Sequence, residues 1–464
     1  MRKLYTALFA FAVLALYVAP SPARQALKKP PKQPGLSATS FTLTNGLKVI
    51  LHEDHSSPTV MVYVWYHIGS KDEKQGKTGF AHLFEHLMFK GSKHVKDGQF
   101  DRLLEAAGGW NNGTTNADRT NYFEQVPANF LGLALYLEAD RMAGLWSAMN
   151  QKVLDNQRDV VKNERRQSYE NTPYGKAELA IQQSLWPKGH GNYNLTIGTM
   201  ADLSAASLKD VEQFYRANYV PNNATLVIAG DLNVAATKKL VQKYFGWIPR
   251  KPNPPHVTLT KPVTPRAGQV KLIEYDQVQV PKVVLAWRSP TPFTRGDTTL
   301  ELAAHILAGG KTSRLHRRLV IKERKAANVY AYQNAQMLGG EFQIASLARG
   351  KTTPDALFKA IDEEVVKLGK TKVSNDELLR AKRTFEAYKL KRLESLSARA
   401  GLLAMYSAYL GRIDHFSKDL AMLRSISADD IQRAVAKWLR KDSKVVMYVL
   451  PKKKSKKSAK GGAK

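Results

Sequence analysis

His82-Leu83-Phe84-Glu85-His86 gathers two imidazoles and a carboxylate in one short segment. At about 100° per residue, a helix sets His82 and His86 about 40° apart, with Glu85 about 60° to the other side of His82. Two imidazoles one turn apart can grip a single Zn²⁺ at about 2.0–2.1 Å each. The glutamate beside them is then poised as a base for a water held by the ion. The order inverts the more familiar His-Glu-x-x-His zinc motif. With 11 histidines and 40 acidic residues in 464 positions, chance would produce this pattern about 0.02 times. The competing reading is two partly exposed histidines on an amphipathic helix. Against it, Phe80, Leu83, Phe84, Leu87, Met88 and Phe89 make the segment apolar nearly all round, which predicts burial. Buried His and Glu need partners, and one ion would satisfy all three.

A catalytic zinc site usually has three protein ligands and one open position. No third histidine is suitably spaced. Residues 151–168 are predicted to form a helix, on which Val153, Leu154, Gln157, Val160, Val161 and Glu164 share a face. Glu164 thus sits on an otherwise apolar stripe, where an unpaired carboxylate is costly. Periodicity alone leaves two readings open, a metal ligand and an interhelical ion pair.

With these residues in view, the chain resembles the pitrilysin/insulinase-type zinc metallopeptidases. It is similar to the half-length members, which include the mitochondrial processing peptidase β subunit. The inverted motif His82-x-x-Glu85-His86 is that family's signature, and the resemblance runs from about Phe41 to Leu450. It implies a zinc-dependent endopeptidase that hydrolyses peptide bonds in unfolded peptides. By resemblance the zinc ligands are His82, His86 and Glu164, the last in the segment Arg158–Arg165, and Glu85 is the general base. The implied fold is α+β, with two homologous domains, each a mostly antiparallel sheet packed with helices, enclosing a chamber. The stretch from Asn112 to Tyr122 resembles the family's Asn-Ala-x-Thr…Thr-x-Tyr segment, which implies substrate binding by Asn112, Thr115, Thr120 and Tyr122. An open strand edge there could pair an extended peptide by β-augmentation. Without the resemblance, the same stretch reads as a polar loop.

The chain departs from the family in two places. Gln157 stands where many members carry a further glutamate, which bears on tuning of the metal from outside its ligands. In the second half, Val320 and Asn328 occupy positions where many relatives have a substrate-holding Arg and Tyr. Arg317, Arg318, Tyr330 and Tyr332 are the nearby candidates to replace them. Aligning the halves sets His305 opposite His86, and Glu301 and Ala304 opposite His82 and Glu85, so the second domain is expected to be metal-free. This asymmetry suggests a dimer, first a heterodimer with a metal-free paralogue and second a homodimer. The alternative function is a non-catalytic or partner-dependent subunit of a heterodimeric peptidase.

The elements that must position these residues follow from pattern. Asn45-Gly46 between apolar runs signals a hairpin, and Met61–Ile68 reads as a buried strand. Helices are expected at 79–89, 100–107, 130–148, 151–168 and 207–217, with strands at 121–126 and 224–229. Residues 249–268 hold six prolines and no periodicity, which marks a linker. After it the order restarts: Val270–Asp276 resembles Leu47–Glu53, and Val283–Trp287 resembles Val62–Tyr66. Helices at 300–307, 355–368, 375–393 and 428–439 and a strand at 444–450 complete the second half. The expected organisation is a metal-bearing domain over 41–248, a linker over 249–268 and a metal-free homologous domain over 269–450.

Composition bounds the rest. The chain is 43% hydrophobic and 24% charged, an ordinary globular balance. It has no cysteine, which excludes disulfides, thiolate metal sites and lipoprotein anchoring. Arg2 and Lys3, the apolar run 4–18 and Ser21 and Ala23 before a break read as a cleaved signal peptide over 1–23. A Pro/Lys-rich lead-in covers 24–40. Export to a bacterial periplasm is expected, which weakens a nucleic-acid reading of the formal net charge of +31. The tail 451–464 is lysine-rich and read as disordered, with weak contact to an anionic membrane as the one partner to weigh.

Overall fold

The structure is a computed structural model that describes residues 36–452. The signal segment, most of the lead-in and nearly all of the lysine-rich tail lie outside the described residues. The first half runs β1 (Thr39–Thr42), β2 (Lys48–Glu53), β3 (Thr59–Tyr66), α1 (Phe80–Leu87), α2 (Gln99–Ala106), β4 (Trp110–Thr115) and β5 (Thr120–Pro127). It continues with α3 (Leu131–Gly144), α4 (Gln151–Arg165), α5 (Lys176–Leu185), α6 (Met200–Ala205), α7 (Leu208–Asn218), β6 (Ala224–Gly230) and α8 (Val234–Phe245). The second half runs β7 (Val270–Asp276), β8 (Lys282–Ser289), α9 (Arg295–Ala308), β9 (Ala326–Asn334) and β10 (Gly340–Ala348). It ends with α10 (Pro354–Lys370), α11 (Asn375–Arg392), α12 (Leu396–Leu410), α13 (Phe416–Ser425), α14 (Ala428–Trp438) and β11 (Val445–Pro451).

The strands form two sheets, in the orders β1-β2-β6-β3-β5-β4 and β7-β11-β8-β10-β9. In each sheet one pair is parallel, β2 with β6 and β7 with β11, and the rest are antiparallel. Setting β7 on β2 makes the two orders identical over five strands, with β1 added at one end. The two halves are therefore repeats of one α/β fold, as the restarted order predicts.

One face of each sheet packs on helices of its own half. Val62, Val64 and Tyr66 of β3 and Leu226 and Ile228 of β6 meet Leu83, Phe84 and Leu87 of α1 in one core, and Val283, Leu285 and Trp287 of β8 meet α9 and α10 in another. The opposite faces are covered by exchange. Leu402, Leu403 and Tyr406 of α12 lie against Met61, Trp65 and Val227 of the first sheet. Ile181 and Leu185 of α5, with Trp186 just after it, lie against Val284, Ala286 and Met447 of the second. Each fully buried aliphatic side chain contributes about 1.5–3 kcal/mol, so this crossing holds the halves as two lobes of one body. The segment 249–268 has neither helix nor strand. It is held where Val257 N–H donates to Asp72 at 2.9 Å and Arg266 Nε donates to the Ser184 carbonyl at 2.7 Å.

Periodicity does not mark β4, β9, β10, α5 or α12. β4 (Trp-Asn-Asn-Gly-Thr-Thr) is polar because it is an edge strand with one side chain row open. α12 carries apolar residues around much of its surface, because a sheet covers one side and the Phe416–Leu420 turn another.

Candidate metal centre

α1 is placed by its first turn. Gly79, at φ +88°, precedes it, and a Cβ there would come within 2.6 Å of the Ile197 carbonyl oxygen, so the position takes only glycine. The unpaired N–H groups of the helix start are met by side chains: Gly79 N–H and Ala81 N–H donate to the two oxygens of Glu73, 2.8 Å each. Thr78 N–H donates to Asp202 at 3.0 Å. Burial pushes the Glu73 carboxyl up to about 8, its two backbone bonds offsetting only part of the shift. The middle of α1 is tied to β5 by Tyr122, whose hydroxyl donates to the Phe84 carbonyl at 3.1 Å. Beneath Tyr122 lies the buried guanidinium of Arg141, 4.4 Å from that ring, 4.5 Å from Phe100 and 5.4 Å from Phe89. Its charge is met by Glu138.

α4 starts at Asn150, whose side chain accepts from Val153 N–H at 3.1 Å. The helix ends one residue after Glu164 and continues as a π-helical turn over 166–170, three residues short of the sequence expectation as a regular helix. Of the stripe read from periodicity, Leu154, Gln157 and Val161 are buried, whereas Val160 is 41% exposed.

The geometry brings His82, His86 and Glu164 together. His82 Nε2 lies 3.5 Å from one Glu164 oxygen, and His86 Nε2 lies 3.2 Å from the other. One ligand atom from each lies within 4.8 Å of the other two. Ligands about 2.0–2.1 Å from a tetrahedral ion sit about 3.3–3.4 Å from one another. The two imidazole–carboxylate spacings lie near that edge length, each to a different oxygen of Glu164, so a divalent ion such as Zn²⁺ suits this donor set of two imidazoles and a carboxylate. Burial holds His82 below its ordinary value, which keeps the imidazole neutral. The hydrogen bond with His86 holds Glu164 below the usual carboxylate range. Glu85 shares the helix but not the cluster, and its buried Oε2 has no hydrogen-bond partner among the described residues. His82 Nδ1 is also without one, whereas a metal-ligating imidazole usually donates its second N–H.

The edge strand runs directly beside Glu85. A Cβ on Gly113 would meet Glu85 Cγ, Phe89 Cε2 and Tyr122 Cδ1, each at 3.2 Å. β4 has one edge unpaired in the sheet. Asn112 is exposed, and its Oδ1 accepts from Gly113 N–H at 2.8 Å, while Thr115 is half-buried. Thr120 and Tyr122, which the resemblance implies bind substrate, point into the core. Both are fully buried, and the Thr120 hydroxyl donates to the Ile68 carbonyl at 3.0 Å, as that of Tyr122 does to Phe84. Their side chains hold the strand in place. Sequence reasoning passes over Trp110, which is 45% exposed on the same edge strand. An exposed tryptophan in a polar run was the available signal.

In the second half, α9 brings no metal cluster; among the described residues the only such group is the one on α1 and α4. Burial pushes Asp297 and Glu301 of α9 up, Glu301 adding to the rise at Asp297 and Asp419 to that at Glu301, and the Lys389 ammonium from α11 offsets part of both. Val320 packs against the core of the second lobe, and Asn328 Oδ1 accepts from Leu347 N–H at 3.2 Å. Arg318 is engaged by Glu323 and Glu363 at 2.7 and 2.6 Å. Tyr330 and Tyr332 remain 40% and 38% exposed on the edge strand β9.

A family model described as Insulinase (Peptidase family M16) matches residues 48–195, and one described as Peptidase M16 inactive domain matches 205–385. The zinc protease PqqE of Helicobacter pylori is 30% identical over 373 residues, covering 79% of this chain and 82% of that protein. The crystal structure of a protease from Helicobacter pylori superposes with a TM-score of 0.84 at 27% identity, over 90% of this chain and all of that one. The fold is shared with the periplasmic protease PqqL of Escherichia coli (TM-score 0.74, 17% identity), over 89% of this chain and 47% of that one. With the cluster on α1 and α4 in the matched first half, the chain belongs to the insulinase family of peptidases, peptidase family M16.

Proposed function

We propose that this protein is a zinc-dependent endopeptidase that hydrolyses peptide bonds in unfolded peptides. The observation that carries the reading is the convergence of His82, His86 and Glu164 within 4.8 Å of one another, with Glu85 beside His86 on the same helix and its Oε2 without a hydrogen-bond partner among the described residues. These three residues would hold the ion. Zinc bound there supplies Lewis acidity, which polarises a carbonyl and acidifies water. Glu85 accepts the proton of the attacking water and returns it to the leaving amine. β4 offers unpaired backbone groups along its edge, so an extended peptide pairs with it and lies beside Glu85. Asn112 releases Gly113 N–H as that pairing forms, and Trp110 gives an apolar side chain a face to rest on. We place the protein in the periplasm, on the strength of its expected signal peptide and the location named for the Escherichia coli relative.

The test is metal analysis of the purified chain together with cleavage of a quenched, unstructured peptide. One zinc per chain, cleavage abolished by a chelator and restored by zinc, and loss of cleavage in Glu85→Gln are expected. Chelator-resistant cleavage, or full turnover in Glu85→Gln, would reject the reading.

A second reading, a partner-dependent subunit, is favoured by one observation. Val320 and Asn328 stand where relatives hold substrate, and both are engaged within the second lobe. It predicts that the chain binds zinc yet cleaves slowly alone, and gains rate with a metal-free paralogue or as a homodimer. Sedimentation with activity across a concentration series separates the two.

A further inference from the structure

The second lobe carries a basic face apart from the metal centre. Residues 311–325 contain seven Lys and Arg against a single acid, Glu323. Two depressions open on this face, of about 410 and 590 Å³, and Glu377 lines both. That carboxylate is already engaged. Arg314 donates to both of its oxygens at 2.8 Å and holds it down to about 2. Glu364, in the larger depression, lies 3.5 Å from Arg318. Lys372, in the same depression, is paired with Asp429 at 2.8 Å, and six further cations have no such relief. Lys311, Arg380 and Arg383 line the smaller depression, and Arg317, Lys322 and Lys367 the larger. None of the six forms an ion pair among the described residues. Like charges gathered without counter-ions raise a local field that draws multivalent anions.

Two exposed aliphatic side chains stand among these cations. Ile321 is 58% exposed, one turn from Arg317, and Leu379 is 45% exposed, one turn from Arg383. A soluble phosphate or an acidic peptide would use the cations and leave these groups in water. A bilayer surface uses both, because phosphates lie at its rim and acyl chains begin just below.

We propose that this face docks on the phosphate headgroups of an anionic lipid bilayer, with the six cations meeting phosphates and Ile321 and Leu379 entering the interface. The inference does not depend on peptidase activity.

The test is co-sedimentation of the full chain with phosphatidylcholine vesicles, with and without about one-third phosphatidylglycerol. Binding to the anionic vesicles only, weakening steeply with salt, is expected. A basic residue near such a surface is worth about fivefold in affinity. The variant Lys311→Gln/Arg380→Gln/Arg383→Gln should therefore bind about 100-fold more weakly. The control Lys152→Gln/Lys209→Gln/Lys239→Gln, with the same charge change at exposed lysines of the first lobe, should stay within a few-fold of wild type. The lysine-rich tail is the same in all of these proteins, so it cannot create the difference. Ile321→Ser/Leu379→Ser should weaken vesicle binding several-fold without changing the binding of pyrophosphate. Equal losses in the two triple variants would reduce the effect to net charge and overturn the proposal. Saturable pyrophosphate or polyglutamate binding at this face, with vesicle binding indifferent to Ile321 and Leu379, would overturn it in favour of a soluble anion.

Discussion

Gly113→Ala adds one carbon where β4 passes the candidate base. That carbon would stand 3.2 Å from Glu85 Cγ, Phe89 Cε2 and Tyr122 Cδ1, against an ordinary carbon contact of about 3.5–4.0 Å. Some neighbour must therefore yield by about 0.3–0.8 Å. Tyr122 cannot easily, since it is fully buried and its hydroxyl is bound to Phe84. Phe89 is wedged edge-on between Phe100 and Tyr122, with ring centroids 6.2 and 5.8 Å away. Glu85 is left to move, because one of its carboxylate oxygens has no partner. Gly113 does not have positive φ, so the backbone accepts alanine. A 1 Å misplacement at a reacting group costs about 100-fold, so a shift of half that should lower kcat roughly tenfold. Overpacking should cost about 1–3 kcal/mol of stability. The three nearest atoms belong to none of His82, His86 and Glu164, so zinc content should stay at the wild-type level. The assay pairs zinc stoichiometry with kcat and KM on a quenched peptide, and with thermal unfolding. Wild-type kcat with a stable fold would show that β4 does not constrain the base. Loss of zinc would show that the strand supports the ligands instead.

Glu85→Gln should lower kcat by about 10²–10⁴-fold, the usual contribution of a general base, with zinc affinity unchanged in chelator competition. Glu164→Gln should bind zinc at least 100-fold more weakly and lose the thermal stabilisation that zinc gives wild type, since ligand binding to the native state raises stability by mass action. Arg141→Met leaves the Glu138 carboxylate buried without its cation, beside a Glu124 that burial already pushes well up; urea unfolding should show a loss of about 3–5 kcal/mol. Asp118 accepts from Met337 N–H across the lobes at 3.2 Å, and burial pushes it from 3.8 up to about 6. A raised carboxyl binds its proton more tightly in the fold, so its stabilising contribution is complete below about pH 4 and gone above about pH 6. Asp118→Asn should flatten the dependence of the melting temperature on pH across that window, and an unchanged slope would refute the assignment.

The sequence by itself determined the chemistry that lies within one helix. His82, Glu85 and His86 are fixed by 3.6-residue periodicity, and the apolar residues around them dictate that α1 is buried. It also pointed to the repeat, because β3 and β8 are buried strands of similar pattern, and β7 follows the letters of β2 although it lies half-exposed at the edge of its sheet. The third donor was a weaker matter. Periodicity put Glu164 on the inward stripe of α4, but a ligand and an ion pair demand the same stripe. Only the packing of α4 on α1 sets its carboxylate 3.2 and 3.5 Å from the two imidazoles, which gathers the three donors into one cluster that could hold an ion. Tertiary structure alone decided which side chains of the 112–122 segment are buried. Thr120 and Tyr122 look like polar contacts in a string of letters, yet alternation along β5 turns both into the core. Tertiary structure also decided that α5 and α12 cross to cover the opposite sheets. Burial of α12 on two sides leaves no polar stripe to read, and the partner of an apolar face is set by where the chain returns in space, which no local pattern encodes.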